Sequence, residues 1–231
     1  MEYPIRINKY LAQKKICSRR EADDLILQKK IKINGKVAVL GDKVLESDKV
    51  VVAKFDKNFI YLALNKPRDI ITHSPQMGEK EIKDILNIKE KVFPIGRLDK
   101  SSSGLIILTN DGRLTDRLLN PEYDHEKEYI VKTKEPIDNL FVKKMSQGIE
   151  LDDGYVTKKC KVFKIDNNKF SIILTEGKKH QIRRMCAQLG KVVSDLKRVR
   201  IVNIKINSLR PGQFREIKGK ELQEFFEKIN L

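Results

Sequence analysis

In the stretch Pro94-Ile95-Gly96-Arg97-Leu98-Asp99-Lys100-Ser101-Ser102-Ser103-Gly104, one carboxylate stands between two cations. Asp99 lies on a Gly- and Ser-rich loop, and the apolar run Leu105 to Leu108 that follows predicts a buried strand. A carboxylate carried on a loop and anchored by a rigid strand is well placed to do chemistry. The same pattern also fits an aspartate that only balances Arg97 and Lys100, and the loop alone does not choose between the two.

Other chemistries have weaker footing. There is no Gly-x-x-x-x-Gly-Lys-Ser/Thr loop and no Gly-x-Gly-x-x-Gly after a strand. The three histidines, His73, His125 and His180, sit in scattered contexts, which gives little support to a zinc deaminase. His180 is the one inside a dense polar cluster, where a hydrogen-bonded residue at a helix start accounts for it. A magnesium site built from Asp99 and Asp111 has no supporting spacing. Cys17, Cys160 and Cys186 are odd in number and form no Cys-x-x-Cys pair, so they read as reduced, partly buried thiols.

The elements that must position Asp99 follow from pattern. Ile7, Tyr10 and Leu11 predict a short amphipathic helix, and Ser18-Arg19-Arg20-Glu21 has the form of a capping box opening a second helix through Ala22, Leu25 and Ile26. Ile31 to Val37 alternates around Asn34-Gly35, a tight hairpin signal, and Lys49 to Val52 predicts another strand. Lys54-Phe55-Asp56-Lys57-Asn58 reads as a linker. Strands are then expected at Ile60–Leu64, Leu105–Leu108, Tyr129–Thr133, Val156–Phe163 and Phe170–Leu174. Helices are expected around Lys80–Leu86, over Leu114, Leu118 and Leu119, at Ile137–Met145, from Gly177 to Gly190, and through Leu222, Phe225, Phe226 and Ile229. The apolar face of that last helix reads as core.

Charge points to the partner. The 231 residues hold 48 Lys and Arg against 32 acids, a net +16, which favours a polyanion such as nucleic acid. Residues 1 to 57 carry 11 Lys and 3 Arg against 8 acids, much of it on the two helices and the turn, where Arg6, Lys9, Arg19, Arg20, Lys32 and Lys36 lie. Between residues 177 and 200 there are 8 basic residues and the single acid Asp195. No apolar stretch approaches the ~20 residues that span a bilayer and the start lacks a signal-peptide core, so a cytosolic protein without a membrane partner is expected.

Two resemblances organise these features. Arg6-Ile7-Asn8-Lys9-Tyr10-Leu11, Ile16-Cys17-Ser18-Arg19-Arg20-Glu21-Ala22 and Lys32-Ile33-Asn34-Gly35-Lys36 resemble the S4 RNA-binding domain, whose helical pair and hairpin present a basic surface to structured RNA. Leu64-Asn65-Lys66-Pro67, Pro94 to Asp99 with Gly104-Leu105, and His180-Gln181-Ile182-Arg183-Arg184-Met185 resemble the RsuA/RluB/RluE/RluF family of ribosomal RNA pseudouridine synthases. Asp124 to Tyr129 and Val156 to Val162 look most like its RluF branch, whose members act on large-subunit ribosomal RNA.

The resemblance implies an α+β protein. A small S4-like domain over residues 1–57 would precede a catalytic domain over 58–231 with a central mixed, mostly antiparallel sheet flanked by helices. It implies that Asp99 attacks C1′ of uridine or takes its 2′ proton, that Arg183 is the basic partner of Asp99, and that Tyr129 stacks on the flipped uracil. Leu196 would supply an apolar wall near the aspartate, and Arg97, Lys100, Lys179 and Arg184 would hold phosphates. A half-buried strand tyrosine and a plain core leucine remain open for Tyr129 and Leu196. No cofactor or metal is implied, the expected partner is ribosomal RNA with transfer RNA open as a second, and a monomer is expected. The alternative function is an RNA-binding or ribosome-assembly protein without catalysis. Two positions depart from the family pattern. Asp69 stands where a glycine is usual, in a place where Asp tolerates φ > 0 better than most residues, and Ser101 replaces an acidic or amide residue.

Overall fold

The computed structural model describes residues 2–53 and 58–231. The expected linker lies outside the described residues except for Asn58. The N-terminal part contains β1 (Ile5–Arg6), α1 (Ile7–Gln13), α2 (Arg19–Leu27), β2 (Ile31–Ile33), β3 (Lys36–Val37), β4 (Lys43–Val44) and β5 (Val50–Val52). The capping box forms as read: Ser18 Oγ accepts from Glu21 N at 3.2 Å and Glu21 Oε2 accepts from Ser18 N at 2.9 Å. Asn34 and Gly35 take φ of 50° and 81°, the two positive values that a tight hairpin turn needs between β2 and β3. Ile7, Leu11, Leu25, Ile26 and Ile31 close a small core between the helices and the sheet β3-β2-β5. The two-residue strands β1 and β4 pair with each other and are too short to leave a periodic signal.

The second part contains β6 (Tyr61–Lys66), α3 (Ile82–Ile85), β7 (Phe93–Ile95), β8 (Ser103–Thr109), α4 (Arg113–Leu119), β9 (Lys127–Thr133) and α5 (Asn139–Gln147). It continues with β10 (Lys161–Asp166), β11 (Lys169–Leu174), α6 (Gln181–Gln188), β12 (Val193–Ile201), β13 (Ile204–Lys205), β14 (Phe214–Glu216) and α7 (Gly219–Lys228). Nine strands form one mixed sheet in the order β10-β11-β9-β12-β8-β6-β14, with β13 on β12 and β7 on β8. Its pairings are antiparallel except for β8 with β12.

The continuous apolar run of β8 is explained by burial on both faces. Leu105 and Ile107 enter one cluster with Tyr61, Ala63, Leu114 and Phe225, while Ile106 and Leu108 enter another with Leu62, Leu64 and Ile82. A third cluster packs α5 and α6 on the far half of the sheet through Phe141, Met145, Phe170, Ile182 and Met185. The C-terminal helix is core, as expected: Phe225 and Ile229 are fully buried, each contributing about 1.5–3 kcal/mol of burial.

One expected strand is corrected. Of Val156–Phe163 only the segment from Lys161 onward joins the sheet, and Val156 makes an isolated bridge with Glu150. The backbone hydrogen bonds of the intervening residues are taken elsewhere. Thr157 N donates to Ile149 O, Lys158 N to Glu176 Oε1 and Cys160 N to Ser146 O, which leaves no ladder to form.

Candidate active site

Strands β8 and β12 pair over only two registered positions, Ser103 with Lys197 and Gly104 with Arg198. Beyond them β12 diverges, and β7 takes over that edge of β8 at Ile107 to Thr109. A cleft opens at this divergence, and the chain leaving β7 runs into it carrying Asp99. Gly104 makes the approach of the two strands possible: a Cβ there would lie 2.2 Å from Arg198 O, and its φ is +110°.

The Asp99 loop is clamped from below. Thr72 Oγ1 donates to Leu98 O at 2.8 Å and accepts from Leu98 N at 3.1 Å. Asp69 N donates to Lys100 O at 2.8 Å, and Asp69 adopts φ +65°, a left-handed conformation that aspartate tolerates better than most residues. Lys66 is 0% exposed and donates from Nζ to Pro67 O and Ile70 O at 2.8 and 2.7 Å, which ties the supporting loop to the end of β6. Burial pushes this ammonium down to about 8, against the opposing pull of Asp69 and Asp99.

The cleft has a volume of about 1580 Å³, above the ~300–1,000 Å³ typical of small-molecule pockets and suited to a polymer segment. Asp99, Tyr129 and Leu196 all line it. The Asp99 side chain is 38% exposed, so it is reachable from solvent. Tyr129 and Leu196 project from β9 and β12. Each also packs on the apolar cluster beneath, so the open alternatives for these two residues are not mutually exclusive.

The expected Arg183–Asp99 ion pair is not formed. Arg183, on α6, instead donates from Nη2 to Ser101 O and Ser102 Oγ at 3.3 Å and from Nη1 to Val193 O at 3.3 Å. Its fork is taken up by the backbone just after Asp99, and its buried Nε has no partner among the described residues. Among the described residues, the cation-forming group in contact with Asp99 is His180, whose Nε2 lies 3.5 Å from Asp99 Oδ1. His180 opens α6 in a left-handed conformation, φ 53°, with no side-chain cap bond, so its ring is directed by the site rather than by the helix.

The expected phosphate-holding residues divide. Lys9, Arg19, Arg20, Arg97 and Lys179 are exposed and line the cleft. Arg6, Lys32 and Lys36 are exposed on the N-terminal part away from it. Lys100 pairs with Glu79 at 2.9 Å, and Arg184 with Asp152 and Asp153, so carboxylates already offset both cations. The N-terminal part reaches the cleft where Ser18 packs against Gly112 at the start of α4. Asp111, the other carboxylate considered for magnesium, is fully buried and occupied: it accepts from Tyr61 Oη at 2.8 Å and from Arg113 Nε and Nη2 at 2.8 and 2.7 Å.

Sequence reasoning missed two residues of the cleft. Arg198 is opposite Tyr129 in the β9–β12 register and Lys127 lies two residues before Tyr129, so all three share one face of the sheet. Both line the cleft. The signal available was the presence of cations in a segment destined for the middle of a sheet, where charges are rarely placed without a task.

The family model for RNA pseudouridylate synthases matches residues 60–188, and that for the S4 domain matches residues 5–50. The dual-specificity RNA pseudouridine synthase RluF of Escherichia coli (strain K12) is 42% identical over 231 aligned residues, covering 97% of this chain and 79% of that protein. Ribosomal large subunit pseudouridine synthase B of Bacillus subtilis (strain 168) is 35% identical over 229 residues, 94% of each chain. A solved structure described as a pseudouridylate synthase superposes with a TM-score of 0.71 at 27% identity, covering 97% of this chain and 99% of the other. With a carboxylate set in a cleft at the divergence of two strands, and with these matches along nearly its whole length, the chain belongs to the RNA pseudouridylate synthase family.

Proposed function

We propose that this protein converts a specific uridine to pseudouridine in large-subunit ribosomal RNA, with transfer RNA as a second substrate, using Asp99 as its reacting carboxylate. The observation that carries the reading is the clamped, solvent-reachable Asp99 in a polymer-sized cleft that Tyr129 also lines. The reaction breaks the bond from C1′ to N1, turns the base and joins C1′ to C5. Attack on C1′ and removal of the 2′ proton both call on the same carboxylate. Thr72 holds its loop from one side, on a segment that Lys66 fixes through Pro67 O and Ile70 O, and Arg183 holds it from the other, so the carboxylate meets the sugar without reorganising. Tyr129 stacks on the flipped uracil, a contact of about 1–3 kcal/mol per base. Leu196 walls the pocket, and the exposed cations Arg97 and Lys179 hold flanking phosphates.

The names of the relatives support the substrate: one is a large-subunit enzyme, and another is called dual-specificity. All of those cited are described as synthases, which speaks against RNA binding without catalysis. The S4-like module docks structured RNA through its basic face, and the enzyme works as a cytosolic monomer. No helix among the described residues is long and apolar enough to cross a membrane.

The test is release of tritium from unmodified ribosomal RNA and transfer RNA labelled at uridine C5. Wild type is expected to release it from ribosomal RNA, and Asp99→Asn to lose release while retaining fold and RNA affinity. An unimpaired Asp99→Asn variant overturns the assignment.

A further inference from the structure

The cleft holds cations that the proposed reaction has not used. Arg198 is 5% exposed. The only hydrogen bond of its guanidinium among the described residues runs from Nε to Leu105 O at 2.7 Å, where β12 has left β8. Its Nη2 is buried and has no partner. A buried donor without an acceptor is uncommon in a folded protein and calls for a reason. Lys127, on the same face, spends one donor on His125 O at 3.2 Å. Apolar residues surround the pair: Leu174 is opposite Lys127 in the β11 register and Ile201 in the β12 register. Burial strips Lys127 of water and Arg198 repels it, which together push its ammonium down to about 8. The fold tolerates this arrangement without supplying a carboxylate to either of them among the described residues.

What would satisfy them is an electron-rich oxygen that arrives with the substrate. A nucleotide flipped into a cleft enters base first, and its phosphates stay at the rim. Exposed Arg97 and Lys179 lie at that rim, whereas Arg198 lies on the sheet floor beside Tyr129. We propose that Arg198, assisted by Lys127, binds the carbonyl edge of the flipped uracil and stabilises the negative charge that the base carries once it is detached. When C1′–N1 breaks, the bonding electron pair leaves with the base and spreads over O2 and O4, to which the two cations donate hydrogen bonds without transferring a proton. After the base turns, C5 joins C1′ as the Asp99–C1′ bond breaks or, on the other route, as Asp99 returns the 2′ proton; the C5 proton is lost to solvent and N1 takes one up, so substrate and product remain isomers. Donors aimed at charge that develops in the transition state are the arrangement that accelerates such a step.

This inference rests on the proposed pseudouridine synthesis, and its test separates the two. Single-turnover rates and RNA affinities are measured for wild type, Arg198→Met and Arg198→Lys on ribosomal RNA carrying either uridine or 5-fluorouridine, whose base is the better leaving group but has no C5 proton to lose, so that both reactions are followed by the disappearance of the N1-linked nucleoside. Failure of wild type to form pseudouridine defeats the functional reading itself. With wild type active, Arg198→Met is expected to slow uridine conversion by about 10²-fold or more at saturating enzyme, with little change in affinity. The loss should be smaller with 5-fluorouridine, and Arg198→Lys should fall between. Equal losses on the two substrates would assign Arg198 a structural task and overturn the inference. Weaker affinity with a shallower salt dependence and an unchanged rate would make it a phosphate contact and overturn it equally. If Arg198→Met does not fold, the comparison of leaving groups is made on Arg198→Lys, with the same outcomes deciding.

Discussion

Replacing Gly104 by alanine tests whether the closeness of β8 and β12 sets the site. The added Cβ would lie 2.2 Å from Arg198 O and 2.6 Å from Arg198 N, against about 3.4 Å for ordinary contact, so the strands must part by roughly 1 Å. Both atoms belong to backbone in mid-strand, which cannot swing aside as a side-chain tip would. The φ of +110° adds conformational strain of about 1–3 kcal/mol, and overpacking adds about 1–3 kcal/mol more. The expected total, about 2–6 kcal/mol, is a large share of the ~5–15 kcal/mol that holds a domain folded. A misplacement of that size between Asp99 on one side and Tyr129 and Arg198 on the other should cost on the order of 10²-fold in rate. Urea unfolding and single-turnover tritium release measure the two effects. Gly35→Ala is the control: its φ is +81°, but nothing lies within 4 Å of the added Cβ, so it should lose about 1 kcal/mol and no rate. A Gly104→Ala variant within about 0.5 kcal/mol of wild type and equally fast would refute the reasoning.

Ser18→Ala removes the hydroxyl that accepts from Glu21 N and should destabilise α2 by about 1 kcal/mol, seen as a lower urea midpoint. Lys127 gives a pH signature with a definite sign. Burial and Arg198 hold it near 8 when folded, against 10.5 for a free lysine, so between those values the unfolded chain binds more protons and stability rises with pH. Lys127→Met should therefore stabilise the protein at pH 7 by about 1–3 kcal/mol and leave stability above pH 11 nearly unchanged, as unfolding at both values will report. The charge that costs stability should serve activity: kcat/KM should fall as pH rises through about 8 in wild type, and that limb should vanish in Lys127→Met. A limb left unchanged in the variant assigns it to Lys66, whose buried ammonium is also held near 8, and removes Lys127 from the role.

Much of this architecture is legible in residue pattern because local rules agree with the fold. Ser18 and Glu21 make a cap wherever a helix starts, and Asn34-Gly35 turns a hairpin without tertiary help. The four apolar residues after Gly104 read as a buried strand because both of their faces enter cores. Asp69 also behaves as its chemistry suggests, taking the positive φ that a glycine would supply. What pattern cannot carry is closeness in space. Nothing in Thr72 announces that it holds the Asp99 loop, nor in Lys66 that it fixes the segment beneath, and the motif that implies an Arg183–Asp99 pair does not encode the carbonyl and hydroxyl that take the guanidinium. Val156 to Cys160 looked strand-like because side-chain alternation does not reveal where the backbone donors will go. Arg198 was hidden among the other charges of Lys197-Arg198-Val199-Arg200.

The two-residue ladder between β8 and β12 has a mechanical consequence. On one side of it lie β10, β11, β9 and β12 over the Phe141–Phe170 cluster, and on the other β8, β6, β14 and β7 over the clusters of Leu64 and Phe225. Apart from that ladder, these halves are joined by apolar contact, with Ile201 and Ile204 reaching into the Phe225 cluster, and by side-chain hydrogen bonds such as Arg198 Nε to Leu105 O and Arg183 Nη2 to Ser101 O. Apolar contact is non-directional and survives small slips, whereas ladder bonds do not. The sheet is thus two plates meeting at a narrow joint along which the cleft opens, so the spacing of Asp99 on one plate from Tyr129 and Arg198 on the other is set by that joint alone.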